Sequence, residues 1–564
     1  MKKLISILLS FAIIVNAVPV EAAGDADGTG YKKFTPGYIS ETVSFGYPKK
    51  PLFEPFNALP SAYDGRDYGY VTPIKAQGDT GLCWAFTANA AIESNMLKNG
   101  FSTHDFSELH MGYATASSHV GDKYAGWRTQ VAEGGNRLIS SSYLMRATLG
   151  GSVDEADDPL GDNPPEYIQP RDLSITHNKP RSYHVQNTVF LNDGKEDISQ
   201  NQIKQSVMDY GAVGAAMYFD WTYHNTSNES YYLPTNKVTP GSINHSVTII
   251  GWNDDYSRSN FNPQPSVNGA WLIKNSDGAD WGSQEGYFWI SYQDANFPIQ
   301  AWVVDSVKPF SSERNVYEYD YLGMAGWTVS QSNEGYSYYS RVYQVSSSDE
   351  RLEQVIVGIP NADTIASVDV IANYQNFNGY NFNTFNSKGT RSFTYPGYYT
   401  IELNTPIELG DEGSKFAVIV RTKTSSDSYA AVAADSKTSE PNTSYVYNNA
   451  SGRFHEMSDY NSCIKAVTTC GTGDNPDYCS ICGENPCSCS VIDNIKIVFG
   501  DNSNFTAKQQ GLISVITNLK KGDIIIGKNK VEIEIKKLEW LTVTVDRVFS
   551  EPPKDAKSFF DGLL

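Results

Sequence analysis

An α+β domain followed by an all-β sandwich and a small cysteine-containing, β-rich tail is the fold class this sequence predicts, on three observations. An Ala-rich apolar run from Cys83 to Leu97 stops at Asn99-Gly100 and reads as a buried helix. Runs rich in β-branched and aromatic residues follow it, ending at Trp252, Lys274 and Tyr292. From Val316 to Cys470 the texture changes to short alternating runs separated by Gly, Asn, Asp and Ser, as in a sandwich.

Composition bounds the rest. The 564 residues suggest about two to four domains. Apolar residues at 40%, 36 Tyr and only 19% charged residues suit a folded chain rather than a disordered one. A formal net charge of −20, with no basic cluster, argues against nucleic acid as a partner. Lys2 and Lys3, the apolar stretch Leu4 to Val18 and Val20-Glu21-Ala22 make residues 1–22 a secretory signal peptide. No later apolar run reaches membrane-spanning length, so the expectation is a secreted or extracellular protein, soluble or cell-wall associated. Residues 23–58 are polar and aperiodic and read as a linker, a leader strand or a short pro-segment.

The chemistry lies in residues 59–308. If a helix begins near Gly81, Cys83 sits in its first turn, where unpaired N–H groups and the helix dipole favour a thiolate. No other cysteine occurs before Cys463, so this thiol has no disulfide partner nearby. A lone cysteine in an apolar helix is ordinarily a small core residue, and its company is what argues for chemistry. Gln77 stands six positions ahead of it. His245 heads the strand SVTIIGW, and Asn275-Ser276 ends the strand AWLIK, both places where a sheet positions side chains accurately. Helices are predicted over Arg137 to Thr148 and Ile198 to Tyr210, and a strand over Ala212 to Phe219. A thiol, an imidazole, a polar group to orient it and a donor for an oxyanion are the parts of a cysteine nucleophile's mechanism.

With these residues, the segment resembles the papain family of cysteine proteases. Gln77 matches that family's oxyanion glutamine, Cys83-Trp84 its nucleophile, His245 its histidine, and Asn275-Ser276 with Trp281-Gly282 its asparagine motif. Gly134 and Gly135 resemble the paired glycines that bind substrate backbone on the non-primed side. The resemblance implies a helical subdomain and a β-barrel-like subdomain, protein or peptide substrates, and no cofactor for catalysis. There are departures. The domain lacks the family's usual disulfide cysteines, and loops Thr222 to Pro240 and Asn253 to Asn268 carry extra length. Asp277 replaces the tryptophan that shields the Asn–His bond, so Trp281 takes over that role or the pair is wetter.

Residues 309–470 resemble the lectin-like domain that follows such proteases in clostridia and related bacteria, which implies glycan binding. A module that packs on and shapes the protease cleft is an equal reading, and acidic loops such as Asp411-Glu412 would suit calcium. In residues 471–490, Cys479, Cys482, Cys487 and Cys489 form a compact knuckle that suits either zinc or two disulfides. Residues 491–564 alternate as a small β module. The remaining histidines, His104, His110, His119, His177, His184, His224 and His455, lack any metal-ligand spacing and are assigned to surface or core. The first functional expectation is an exported cysteine endopeptidase. The alternative is an inactive papain-fold adhesin that binds glycan through the sandwich, and a transglutaminase or cell-wall peptide hydrolase is disfavoured by Gln77 and the Asn275 motif.

Overall fold

The helix predicted at the thiol forms in the computed structural model as α1 (Cys83–Lys98), and Cys83 is its first residue. The structure describes residues 59–470 except 117–129, 147–150, 162–163, 196–197, 238–241, 311–313, 325, 330–334, 378–379, 381–384, 425–430, 436–440, 449–450 and 459; residues 37, 38, 41 and 45–48; and six short strands between 496 and 548. The signal peptide and the four-cysteine knuckle lie outside the described residues.

Among the described residues four more helices follow: α2 (Glu108–Thr115), α3 (Arg137–Leu144) and α4 (Leu173–His177) pack in the core of α1, whereas α5 (Gln200–Tyr210) packs in the other core through Ile203 and Val207. Their starts follow local chemistry. Asn136 accepts the Leu138 and Ile139 N–H groups ahead of α3, and Ser199 with Gln202 forms a capping box ahead of α5. Among the described residues no helix is long and apolar enough to cross a membrane.

The first strands are β1 (Ala62–Asp64), β2 (Tyr183–Phe190), β3 (Val213–Met217), β4 (His224–Asn225), β5 (Ser230–Tyr231) and β6 (His245–Asn253). Then come β7 (Ala270–Lys274), β8 (Tyr287–Ser291), β9 (Ile299–Pro309), β10 (Arg314–Tyr317), β11 (Gly326–Val329) and β12 (Ser337–Gln344). The remainder of the sandwich is β13 (Glu350–Ile359), β14 (Thr364–Ile371), β15 (Gly389–Phe393), β16 (Gly397–Glu408), β17 (Lys415–Thr424) and β18 (Ala431–Asp435). It closes with β19 (Ser444–Asn448), β20 (Arg453–Glu456), β21 (Asn461–Ser462) and β22 (Ile464–Cys470).

The largest sheet has 13 strands in the order β10-β22-β13-β16-β2-β9-β3-β6-β7-β8-β5-β4, with β1 beside β6. It therefore runs through both halves of the protein. The junction is β16 against β2, antiparallel, with Gly397 opposite Val189 and Tyr399 opposite Asn187. A six-stranded sheet, β15-β14-β17-β12-β19-β20, closes the sandwich. Val355, Val357 and Ile401 pack with Val368, Val418 and Tyr339 between the sheets, in one core that continues to Val213, Val247 and Ile249. The alternate residues Ile356 and Tyr398 face the other way and join Leu82, Ala88, Phe190 and Trp302 beneath α1. Period-two alternation thus lets one sheet serve two cores. At about 1.5–3 kcal/mol for each fully buried large apolar side chain, both faces are strongly held.

The first sandwich strand, β10, stops at Tyr317. Beyond it, Glu318 and Asp320 turn inward to the buried Lys465 ammonium at 3.3 and 2.7 Å. Pairing that charge takes precedence over continuing the strand.

Candidate active site

Cys83 is fully buried at the start of α1, where Leu82 provides no side-chain cap and the positive end of the helix is open to the thiol. Backbone N–H groups of Ser246, Trp84 and Gly37 favour its thiolate. Burial still dominates and pushes the thiol up to about 12.

His245 is the first residue of β6, opposite Met217 of β3. Its Nε2 lies 2.9 Å from Asn275 Oδ1. Asn275 follows the last residue of β7, so two adjacent strands of one sheet deliver the pair. Asn275 Nδ2 in turn donates to Asp277 Oδ2 at 2.7 Å. An ionised carboxylate only accepts, so this contact turns the amide oxygen toward His245 and places the ring proton on Nε2. Burial draws His245 down to about 4, against the Asn275 bond. Asp277 does not leave the pair wet, because His245, Asn275 and Asp277 are 1%, 5% and 7% exposed. Phe219 presents its ring to His245 at 6.4 Å, whereas Trp281 stacks on His224 at 5.3 Å.

Gln77 is tied to the same corner. Its N–H donates to the Ser276 carbonyl at 2.7 Å, its Oε1 accepts from Ser276 Oγ at 2.7 Å, and its Nε2 donates to the Thr80 carbonyl at 2.8 Å. Gly135 lies against Trp84, so closely that an added Cβ would fall 2.6 Å from the indole. An added Cβ on Gly81 would fall 3.0 Å from the Gly134 nitrogen. The two glycines therefore let three chain segments meet at the helix start.

Sequence reasoning missed what covers this corner. The leader crosses it: Gly135 N–H donates to the Gly37 carbonyl at 2.8 Å, and Gly37 and Tyr38 both donate to the Asn244 carbonyl, at 3.0 and 3.1 Å. Tyr38 bridges Gly135 in parallel sense, and Gly46 bridges Asn361 of the sandwich. A buried charged cluster was missed as well. Lys274 Nζ donates to Thr72 at 2.8 Å, Thr72 to Glu93 at 2.5 Å, and Lys75 Nζ to Glu108 at 2.8 Å, next to Asn275 and Ser276. Glu93, inside the apolar face of α1, was the available signal. His224 is also more than filler, since its ring lies 3.3 Å from Glu229 with both side chains fully buried. Among the described residues no three His, Cys, Asp or Glu side chains converge as a metal site.

Residues 59–305 match the papain family cysteine protease family, and residues 316–468 match the lectin like domain family. Procathepsin L of Mus musculus is 27% identical over 282 residues, 49% of this chain and 72% of that protein. Cysteine proteinase 1 of Zea mays is 29% identical over 243 residues, 42% of this chain and 57% of that protein. The crystal structure of the cysteine protease and lectin-like domains of Cwp84, a surface layer associated protein of Clostridium difficile, superposes with a TM-score of 0.62 at 23% identity. It covers 78% of this chain and 93% of that one. A structure of Cwp84 after propeptide cleavage gives 0.60 at 24% identity, covering 73% and 100%. At those identities the likeness is one of fold.

Proposed function

We propose that this chain, a papain-family cysteine peptidase over residues 59–305, is an exported endopeptidase held latent by its leader. The observation that carries the catalytic reading is the corner itself. A helix beginning at Cys83 faces the strand that begins at His245, whose Nε2 is 2.9 Å from Asn275 Oδ1.

In the reaction, the Cys83 thiol proton passes to His245 Nδ1 and the sulfur attacks the scissile carbonyl carbon. The Cys83 N–H and the Gln77 amide donate to the oxyanion. The C–N bond breaks as His245 returns the proton to the leaving amine, leaving a thioester on Cys83. Water, deprotonated by His245, attacks the thioester, and collapse releases the carboxylic acid and restores the thiol. Asn275 keeps the imidazole in line, and Asp277 keeps Asn275 in its required orientation.

In the closed chain Cys83 is a thiol and His245 is neutral, for burial moves one pKa up to about 12 and the other down to about 4. The leader contributes to that burial and occupies the Gly135 N–H, so it must leave before a substrate enters. Residues 1–22 supply the export signal. The continuous sheet favours a sandwich that braces the cleft, and glycan recognition is its second assignable role.

The test is labelling with an epoxysuccinyl peptide, followed by peptide mapping and casein cleavage, before and after the leader is removed. Labelling of Cys83 and proteolysis that appear together on removal, and are absent from Cys83→Ala, are expected. Casein cleavage that survives Cys83→Ala would refute the assignment.

A further inference from the structure

Arg137, the first residue of α3 and two positions after Gly135, is a buried cation whose partners are divided between two parts of the chain. On the protease side, Nη1 donates to the carbonyls of Asn192 and Ala301 at 2.7 and 3.1 Å, Nη2 donates to Asp193 Oδ1 at 2.8 Å, and the Phe190 ring lies 4.7 Å from the guanidinium. On the leader side, Glu41 takes the fork with both oxygens, from Nε at 2.9 Å and Nη2 at 3.0 Å. The Tyr47 hydroxyl accepts from Nη2 at 3.1 Å. Phe45 N–H and the Tyr47 hydroxyl donate to Asp193, at 3.0 and 2.9 Å.

When the leader leaves, the protease-side contacts continue to aim the guanidinium, while its Glu41-facing edge loses its acceptor. A planar fork held in that way is matched to a carboxylate, and leaving it half-paired in a low-dielectric recess is costly. The recess lies along the cleft. Gly37 packs on Gly81 beside the start of α1, Tyr38 bridges Gly135, and Glu41 follows three residues later. An extended chain covers at most about 3.5 Å per residue, which places the Glu41 backbone, four residues on, within roughly 14 Å of Gly37.

Resting on the endopeptidase reading above, we propose that Arg137 is a carboxylate-binding subsite, occupied by Glu41 while the leader is docked and by an acidic side chain of the substrate afterwards. The substrate class is a peptide with Asp or Glu at the third to fifth residue on the acyl side of the scissile bond. In this arrangement Glu41 imitates the substrate's own recognition element.

Two measurements on the protein cut at an engineered protease site between residues 48 and 59, and freed of its leader fragment, test this. The first is calorimetric binding of a synthetic peptide of residues 35–48 to the processed Cys83→Ala protein, which needs no activity and leaves Arg137 in place. Glu41→Gln in that peptide is expected to weaken binding at least tenfold. The second is kcat/KM for quenched fluorescent peptides with Glu or Gln at each of five acyl-side positions, with a tenfold preference for Glu expected at one position and lost in Arg137→Gln. Equal binding of the two peptides, or no preference for Glu at any position, overturns the subsite. Hydrolysis that proceeds without that preference leaves the peptidase reading intact. Absence of hydrolysis of every peptide and of casein removes that reading instead, and the binding measurement still decides whether Arg137 reads a carboxylate.

Discussion

Two buried ionic clusters flank the Cys83–His245 corner, and they differ in who owns the partners. Lys75, Glu93, Glu108, Lys274 and Thr72 all belong to the protease body. Arg137 shares its partners between the body and the leader. The first cluster is a permanent support beneath Asn275, and the second is a releasable one. The same chemistry makes one structural and the other a clasp, because a pair can separate only where the chain that carries one partner can leave.

The largest expected effect comes from opening the clasp side. With Cys83 at about 12 in the closed chain, against 9.0 ordinarily, the thiol is disfavoured as thiolate over the whole neutral range. Three units correspond to about a thousandfold less thiolate between pH 7 and 9. Iodoacetamide should therefore alkylate Cys83 faster once the leader's cover is gone, by up to about that factor. The gap should close as pH rises toward 12, where the closed chain also ionises. A rate that does not change on leader removal would erase the distinction between the two clusters.

Next in size is the permanent cluster. Glu93→Gln takes from the buried Lys274 its leading carboxylate and from Lys75 one of three, and breaking such a pair costs up to about 3–5 kcal/mol. Chemical denaturation should show that loss with the leader present or absent. Glu41→Gln, by contrast, should leave the unfolding of the leader-free body unchanged, since residue 41 is then gone. If Glu93→Gln acts only while the leader is attached, the cluster is not the permanent support described above.

A smaller effect sharpens the corner itself. Asp277→Asn keeps the side-chain shape, yet its amide can donate to Asn275 Oδ1 and allow the Asn275 amide to turn. A drop of roughly tenfold in kcat/KM is expected. The lost negative charge also no longer raises the Cys83 thiol, so the acid limb of the pH profile should move to lower pH. An unshifted profile with reduced activity would mean that Asp277 serves packing alone.

Cys83, His245 and Asn275 could be singled out in the sequence because each is a reactive or polar type at an element end, and Gln77 by its spacing to Cys83; the structure brings His245 to Asn275 and Gln77 to Ser276. Several sandwich strands were legible as short β-branched and aromatic runs between turns, though their bounds shift, as where Thr364–Ile371 is the strand and the ladder of β10 ends at Tyr317. The seam between the halves was not. β2, YHVQNTVF, is buried on both faces, with Val189 in one core and Val185 and Phe190 in the other, so it carries no simple polar alternation. Residues 37, 38 and 45–47 were opaque for another reason. Their contacts with Asn244, Gly135, Asp193 and Asn361 are long-range backbone and side-chain pairings that no local pattern encodes.

That seam supplies the smallest effect. Asn187 lies at an irregularity between β2 and β9. Its Oδ1 accepts from the Thr400 N–H at 3.0 Å and from Arg391 Nη1 at 2.9 Å, while its Nδ2 donates to Asp305 at 3.1 Å. One amide therefore ties the sandwich to the protease strands beside the shared sheet. Asn187→Ala should cost about 1–3 kcal/mol, the range for leaving a buried polar partner unsatisfied. Because the sheet and its core are common to both halves, that loss should appear as a lower midpoint of a single calorimetric transition, with Cys83 labelling of the leader-free protein unchanged. Two transitions, only one of them moved by Asn187→Ala, would show that the halves unfold separately, and the continuous sheet would then be contact without cooperativity.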